Sequence, residues 1–283
     1  MEVANGWSKG WFFKLPCHQS NFHKMFFFVL SNLKKQSFFV MVSGRYFGAK
    51  SKIAREMVEF LVSYFDTNEY DTVIDAFCGT GSISIQFKKQ SPSKIVIGSD
   101  KQKCIITTLQ AVQNGYIPPS TTTKAEFDEV KFQDNNPLKS FLHILCNRSG
   151  RLEERNFHKA MEKELLKMPA KTLKRAVDLQ GINFIECDYE SWSDIRGALI
   201  YCDPPYVHCK KIWPKNYKGF EHEHFWQWAR EMSRHNIVVV SEYSAPTDFT
   251  EIWSKTFMSY NWGTTRLVNE KLFVYRTADS VIS

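Results

Sequence analysis

The chain has 283 residues, 43% of them hydrophobic and 15% aromatic, which fits one large domain or a domain with an insertion around a substantial core. Its formal charge of +7 has the sign that suits a polyanionic partner, although many enzymes are equally basic. Seven cysteines lie scattered without C-x-x-C spacing, so no zinc site or disulfide framework is visible and a reduced intracellular setting is expected.

Residues 1–40 are rich in Phe, Lys and Trp and hold no helical or strand period. Their longest apolar run, Met25 to Leu30, is far too short to span a bilayer, and Lys24, Lys34 and Lys35 interrupt any signal-peptide core. We read this segment as an irregular extension, with the working domain beginning near Met41. Gly44 to Lys52 is a glycine-punctuated basic loop. The helical spacing of Ile53, Met57, Val58, Phe60, Leu61 and Phe65 follows it. Lys50 therefore sits at a loop-to-helix junction, where it can meet a carboxylate or phosphate; taken alone, the loop is a plain turn.

Thr72-Val73-Ile74-Asp75 reads as a β-branched strand running into Phe77 and the Gly79-Thr80-Gly81 turn, then a helix over Ile83 to Lys89. Ser84 stands where a dinucleotide fingerprint needs its last glycine, which disfavours pyrophosphate binding. The next strand, Lys94 to Gly98, delivers Asp100, the kind of terminal carboxylate that accepts from ribose hydroxyls. Asp75, Gly79, Gly81 and Asp100 together describe a nucleoside pocket without a pyrophosphate cradle. Residues 115–180 break the β-α rhythm. They carry twelve Lys and Arg against nine Asp and Glu, with Arg148, Arg151 and Arg155 clustered, and end in a helical stretch from about Glu153 to Gln180. Such a segment is a DNA-contacting insertion or an exposed helical one.

Gly181 to Asp188 is strand-like and leads to Asp188-Tyr189 at the crevice. Ala198 to Tyr201 is a short, bounded apolar run that reads as a buried strand. Pro204 and Pro205 must stop it, because they cannot donate to a ladder. Asp203 and the Pro204 carbonyl are then two fixed acceptors, and Tyr206 a flat face, a set suited to the amino group of a planar base. Cys202 reads as a packed strand residue. After a basic loop (Lys210 to Lys218, with Tyr217) comes a helix around Phe225 to Met232. The Glu-His-Glu-His run at its head reads as a solvated helix start and not a metal site. Ile237 to Val240 is a further strand, and Arg266 to Arg276 a terminal antiparallel hairpin strand.

On these residues the chain resembles the Dam-like, or D12-class, DNA adenine-N6 methyltransferases, bacteriophage-type members in particular, from about Gly44 to Tyr275. Tyr46-Phe47-Gly48-Ala49-Lys50 is similar to the family's amino-terminal cofactor motif, and Asp75 to Gly81 to its methyl-donor glycine loop. Asp203-Pro204-Pro205-Tyr206 is similar to the catalytic tetrapeptide, and Tyr217 with Phe220 to the aromatic pair after it. Ser241-Glu242-Tyr243 and Glu270 to Val274 resemble the closing strands. The motif order is that of the α group of amino-methyltransferases. The first 40 residues and the stretch Ile144 to Arg155 depart from the pattern.

The resemblance implies a Rossmann-like, S-adenosylmethionine-dependent methyltransferase sheet with an antiparallel terminal hairpin. The catalytic domain would cover residues 41–114 and 181–283, with a helical target-recognition insertion over 115–180. It implies cofactor contacts from Tyr46, Lys50, Asp75, Phe77, Gly79, Gly81, Asp100, Asp188, Tyr189 and Asp203, and catalysis by Asp203, Pro204 and Tyr206. Target contacts would come from Tyr206 and Tyr217, and from Arg148 and Arg151 of the basic cluster. The expected reaction is methylation of N6 of a flipped adenine in double-stranded DNA, without metal or membrane. A monomer or weak dimer would act on DNA in the cytoplasm of a bacterial or phage-infected cell, as a lone modification enzyme. The tetrapeptide reads an amino group and not a whole base, so cytosine N4 or an RNA adenine stays open as the target, as does an inactive DNA-binding relative.

Overall fold

The structure is a computed structural model that describes residues 50–146, 165–207, 220–261 and 264–275. The N-terminal extension, Tyr46, Arg148, Arg151, Arg155 and Tyr217 lie outside the described residues. Seven strands form one sheet: β1 (Thr72–Asp75), β2 (Ile95–Asp100), β3 (Ile182–Glu186), β4 (Ala198–Cys202), β5 (Ile237–Glu242), β6 (Phe249–Asn261) and β7 (Thr264–Tyr275), in the order β3-β2-β1-β4-β5-β7-β6. Strands β3, β2, β1, β4 and β5 run parallel. Strand β7 enters antiparallel to β5, and β6 closes the hairpin beside it. This is the Rossmann-like sheet with an antiparallel terminal hairpin that the sequence leads one to expect.

Strand alternation sorts the core into two faces. Val73, Leu199, Tyr201, Val239 and Leu272 face one side, where α1 (Ala54–Tyr64), α2 (Ser82–Gln90) and α3 (Lys103–Gln113) supply Met57, Leu61, Ile85, Phe87, Ile105 and Leu109. Ile74, Ala198, Ile200, Cys202, Val238, Val240 and Phe273 face the other, against Phe225, Trp228, Ala229 and Met232 of the helix His222–Met232. Both faces are covered, so the parallel strands read as continuous apolar runs. Cys202 is fully buried, as a packed strand residue should be, and the Glu-His-Glu-His run does open the helix.

Within the 115–180 segment lie α4 (Lys124–Val130), α5 (Pro137–Cys146) and α6 (Met168–Asp178); the remaining helix, His222–Met232, is α7. Thr123 and Glu126 form a reciprocal capping box that starts α4. Phe127, Val130, Phe141, Leu142, Leu145, Leu165 and Met168 build a separate small core there, while Ile144 joins the main one.

Two elements had no motif to announce them. Helix α3 carries an amphipathic face but no site residue. Strand β6 is broken in register between Glu251 and Trp253, and this bulge spoils the period-2 signal. Among the described residues no helix is long and apolar enough to cross a membrane, and no group of three or more His, Cys, Asp or Glu could hold a metal ion.

Candidate active site

From β1 the chain runs outward to β2 and β3, then returns to place β4 on the other flank of β1. The carboxyl ends of β1 and β4 therefore border the crevice where connections leave in opposite directions, the usual ligand position in an open α/β sheet. Three carboxylates stand at neighbouring strand ends: Asp75 on β1, Asp100 on β2 and Asp203 just after β4.

Beyond Asp75 the backbone turns through Gly79 at φ 49° and Gly81 at φ 72°, left-handed conformations that a side chain would strain. Gly81 caps the start of α2. Asp75 Oδ2 accepts from the Ser84 amide at 3.1 Å and the Ser84 hydroxyl at 2.6 Å, while its Oδ1 is buried with no partner. The Ser82 hydroxyl, the first side chain after Gly81, is also buried with no partner. Asp100 braces the turn from β2: its two oxygens accept from the Gly79 amide at 3.1 Å and the Gln102 amide at 2.8 Å. Burial pushes the Asp75 carboxyl up to about 7, against the opposing Ser84 bonds and with help from the Asp203 charge. Burial likewise brings Asp100 up to about 6, partly offset by those two amides. Arg175, on α6, donates to the Thr80 carbonyl and so ties the end of the 115–180 segment to the glycine turn.

The Pro204-Pro205 turn after β4 is held by a buried polar network. Lys50 Nζ donates to Asp203 Oδ1 and to the Tyr206 hydroxyl, both at 2.8 Å, and stands 3.5 Å from Glu270 Oε1 on β7. Tyr206 donates to Glu270, and the Ser241 hydroxyl donates to the same oxygen at 2.9 Å. Burial would pull the Lys50 ammonium down, but the Asp203 and Glu270 charges outweigh it and hold the group well above its ordinary value, so it stays charged. Asp203 sits above the usual carboxylate range because burial and the Glu270 charge together exceed the pull of Lys50. Glu242, at the end of β5, accepts from the Tyr243 amide with Oε1 and leaves Oε2 buried without a partner. Burial brings it up to about 7, against that amide bond.

On the far side of the glycine turn, Phe77 stacks on Tyr189 with ring centroids 5.5 Å apart, and Phe220 meets both edges. Asp188 accepts from the Tyr189 amide at 2.7 Å and faces Lys101 at 3.5 Å. Asp75, Phe77, Gly79, Gly81, Asp100, Asp188, Tyr189, Asp203, Pro204 and Tyr206 thus stand at or just beyond the carboxyl ends of β1, β2, β3 and β4.

Residues 46–175 match the family D12 class N6 adenine-specific DNA methyltransferase. The match covers a little under half of the chain. No curated protein matches it. Solved structures similar to it include an rRNA methyltransferase from Streptomyces viridochromogenes, at 12% identity over 79% of this chain and 84% of that one, TM-score 0.39. Others are a putative RNA methyltransferase from Pyrococcus horikoshii (12%, 90% and 98%, 0.39) and a conserved hypothetical protein from Streptococcus pyogenes (10%, 78% and 94%, 0.32).

The structure adds partners that the motif reading left unassigned. Lys50, expected at the cofactor, is placed on the Asp203 turn. Tyr206 is 7% exposed, with its ring edge-on to Tyr243 at 4.7 Å and its hydroxyl turned into the network. Ser241 and Glu270 had been quoted only as parts of closing strands. Their signal was a polar residue on an otherwise apolar strand face. Arg175 had no signal beyond its place in a charged helix.

Proposed function

We propose that the chain transfers a methyl group from S-adenosylmethionine to N6 of an adenine flipped out of a specific double-stranded DNA sequence. The observation that carries this reading is the placement of Asp75, Asp100 and Asp203 at the carboxyl ends of three adjacent parallel strands, with Asp203 fixed on a double-proline turn. The match of residues 46–175 to the D12 class supports the substrate class.

The residues fit the methyl donor. The orphaned Asp75 Oδ1 and Ser82 hydroxyl beside the open glycine turn offer an acceptor and a hydroxyl to the polar amino-acid end of such a molecule. Each Asp100 oxygen, already holding one amide, keeps a second lone pair for a ribose hydroxyl. Asp188, Phe77 and Tyr189 would hold the nucleobase, and Tyr46 and Lys50 would stand toward the donor's methionine end. The bound donor supplies an electrophilic methyl group on a sulfonium.

The protein's own contribution is positioning. A base rotated out of the duplex gives its amino group two acceptors, Asp203 and the Pro204 carbonyl. Two N–H bonds made in the same direction draw the nitrogen out of conjugation with the ring and free its lone pair. Lys50 keeps Asp203 ionised in a buried site, so that the carboxylate accepts and does not donate. The rate then follows from orientation and electrostatics, with no covalent intermediate on the enzyme. Tyr206 and Tyr217 would flank the base, and Arg148 and Arg151 would contact the duplex.

Incubation with labelled S-adenosylmethionine and unmethylated duplex DNA, followed by mass spectrometry of the nucleosides, tests the reading. N6-methyladenine in DNA is expected; label only in RNA, or only on cytosine, would refute it.

A further inference from the structure

Lys50 is a single buried cation shared by two buried carboxylates, Asp203 at 2.8 Å and Glu270 at 3.5 Å. Glu270 is 3% exposed and reaches the site from β7, an element remote in sequence from the catalytic turn. One of its oxygens accepts from both Tyr206 and Ser241 while facing Lys50. A buried carboxylate is costly unless its bonds are satisfied, and here one oxygen meets Tyr206 of the catalytic turn, Ser241 of β5 and the lysine that pairs with Asp203. We propose that Glu270 is a positioning residue for methyl transfer: it fixes the Tyr206 hydroxyl and holds back part of the Lys50 charge, so that Asp203 keeps its strength as an acceptor for the target amine. The inference rests on the function proposed above.

The physical argument is one of competition. A lysine paired with Asp203 alone would saturate one carboxylate oxygen with a charge-assisted bond and weaken what remains for a neutral amine. A second anion on the same ammonium divides its field. Glu270 thereby leaves Asp203 more basic than a simple ion pair would. The other groups facing Asp203 are Asp75 from β1, Tyr201 from β4, Glu242 from β5 and Tyr206 on its own turn. None of them touches Lys50 and Tyr206 together as Glu270 does.

The test uses the full chain with Glu270→Gln, which keeps shape and hydrogen bonding but removes the charge, beside Glu270→Asp, which keeps the charge. Glu270→Gln should lower kcat roughly tenfold to a hundredfold at unchanged KM for the methyl donor. It should also move the acid limb of the kcat profile to lower pH, because the anion that held Asp203 up is gone. Glu270→Asp should restore the limb to its parental position. Tyr206→Phe should lower kcat and move the limb the opposite way, to higher pH, because the Tyr206 hydroxyl holds Asp203 down. A carboxyl NMR titration of Asp203, assigned by its loss in Asp203→Asn, should fall to lower pH in Glu270→Gln whether or not the protein is active. An unmoved titration, or a Glu270→Gln enzyme that keeps parental kcat and acid limb, would overturn the inference. If the parent methylates no duplex, the function reading falls, and the Asp203 titration still decides the role of Glu270.

Discussion

The parallel strands β1, β2 and β4 and the antiparallel pair β6–β7 belong to one sheet but handle charge in opposite ways. The parallel strands end in buried carboxylates that contact backbone amides, a serine and one lysine. The hairpin places charges on the surface, in pairs such as Lys271–Glu251 at 2.7 Å and Lys255–Glu56, and turns Glu270 inward. Buried charges at strand ends destabilise the fold and are tuned by their neighbours. Surface pairs are screened and contribute little. The difference separates residues placed for chemistry from residues placed for solubility, and four measurements can break or sharpen it.

The largest effect is expected at Asp203. Asp203→Asn turns one acceptor into a donor facing an N–H, so methyl transfer should fall by about a hundredfold or more. Binding of S-adenosylmethionine, followed by calorimetry, should persist in part. Near-parental turnover would remove Asp203 from the mechanism. Asp100→Ala should come next, weakening affinity for the methyl donor roughly tenfold while saturated turnover changes little, since its contacts act equally on ground and transition states. An unchanged dissociation constant would dissociate β2 from the site.

The third measurement concerns pH and stability. Asp75 and Glu242 titrate near 7 and Asp100 near 6 in the folded protein, each above its ordinary value. Between about pH 4 and 7 the folded chain therefore holds protons that the unfolded chain has released, and stability declines as pH rises through that window. Glu242→Gln should relieve part of this decline, raising stability by on the order of 1–3 kcal/mol near pH 8 and by little near pH 5. Denaturant unfolding at the two pH values checks it, and equal gains at both would show that burial of the charge is not the cause. The smallest effect is expected on the hairpin surface: Glu251→Ala should change stability by no more than ~0.5 kcal/mol and leave activity alone.

How much of this was legible beforehand follows the same division. Strands β1, β2, β3, β4 and β5 announced themselves as apolar runs, and each site residue on them stood at a strand end marked by glycine, proline or aspartate. Those markers are local, so Asp75, Gly79, Gly81, Asp100 and Asp203 could be placed from spacing alone. Glu270 carries no glycine, proline or strand-end marker, only its place as a charge on an apolar strand face. It reaches the site only because β7 pairs antiparallel to β5 in one register, Ser241 opposite Leu272, which brings together residues 64 apart in sequence, Tyr206 and Glu270. Lys50 was legible as a cation awaiting an anion, but its partner Asp203 lies 153 residues away, and helical spacing cannot supply that pairing. Strand β6 escaped because its bulge shifts the alternation between Glu251 and Trp253. The capping box of α4 was readable in Thr123 and Glu126, but the charged, prolyl composition around it concealed a helix that is short.

The central claim is that the Asp203 turn presents acceptors to an adenine amino group beside the pocket formed by Asp75 and Asp100. It is tested most directly by transfer of labelled methyl groups from S-adenosylmethionine to unmethylated duplex DNA, with the methylated nucleoside identified by mass spectrometry in the parent and in Asp203→Asn. The account predicts N6-methyladenine with the parent and none above background with the variant. N4-methylcytosine as the sole product, label confined to RNA, or equal labelling by the two proteins would contradict it.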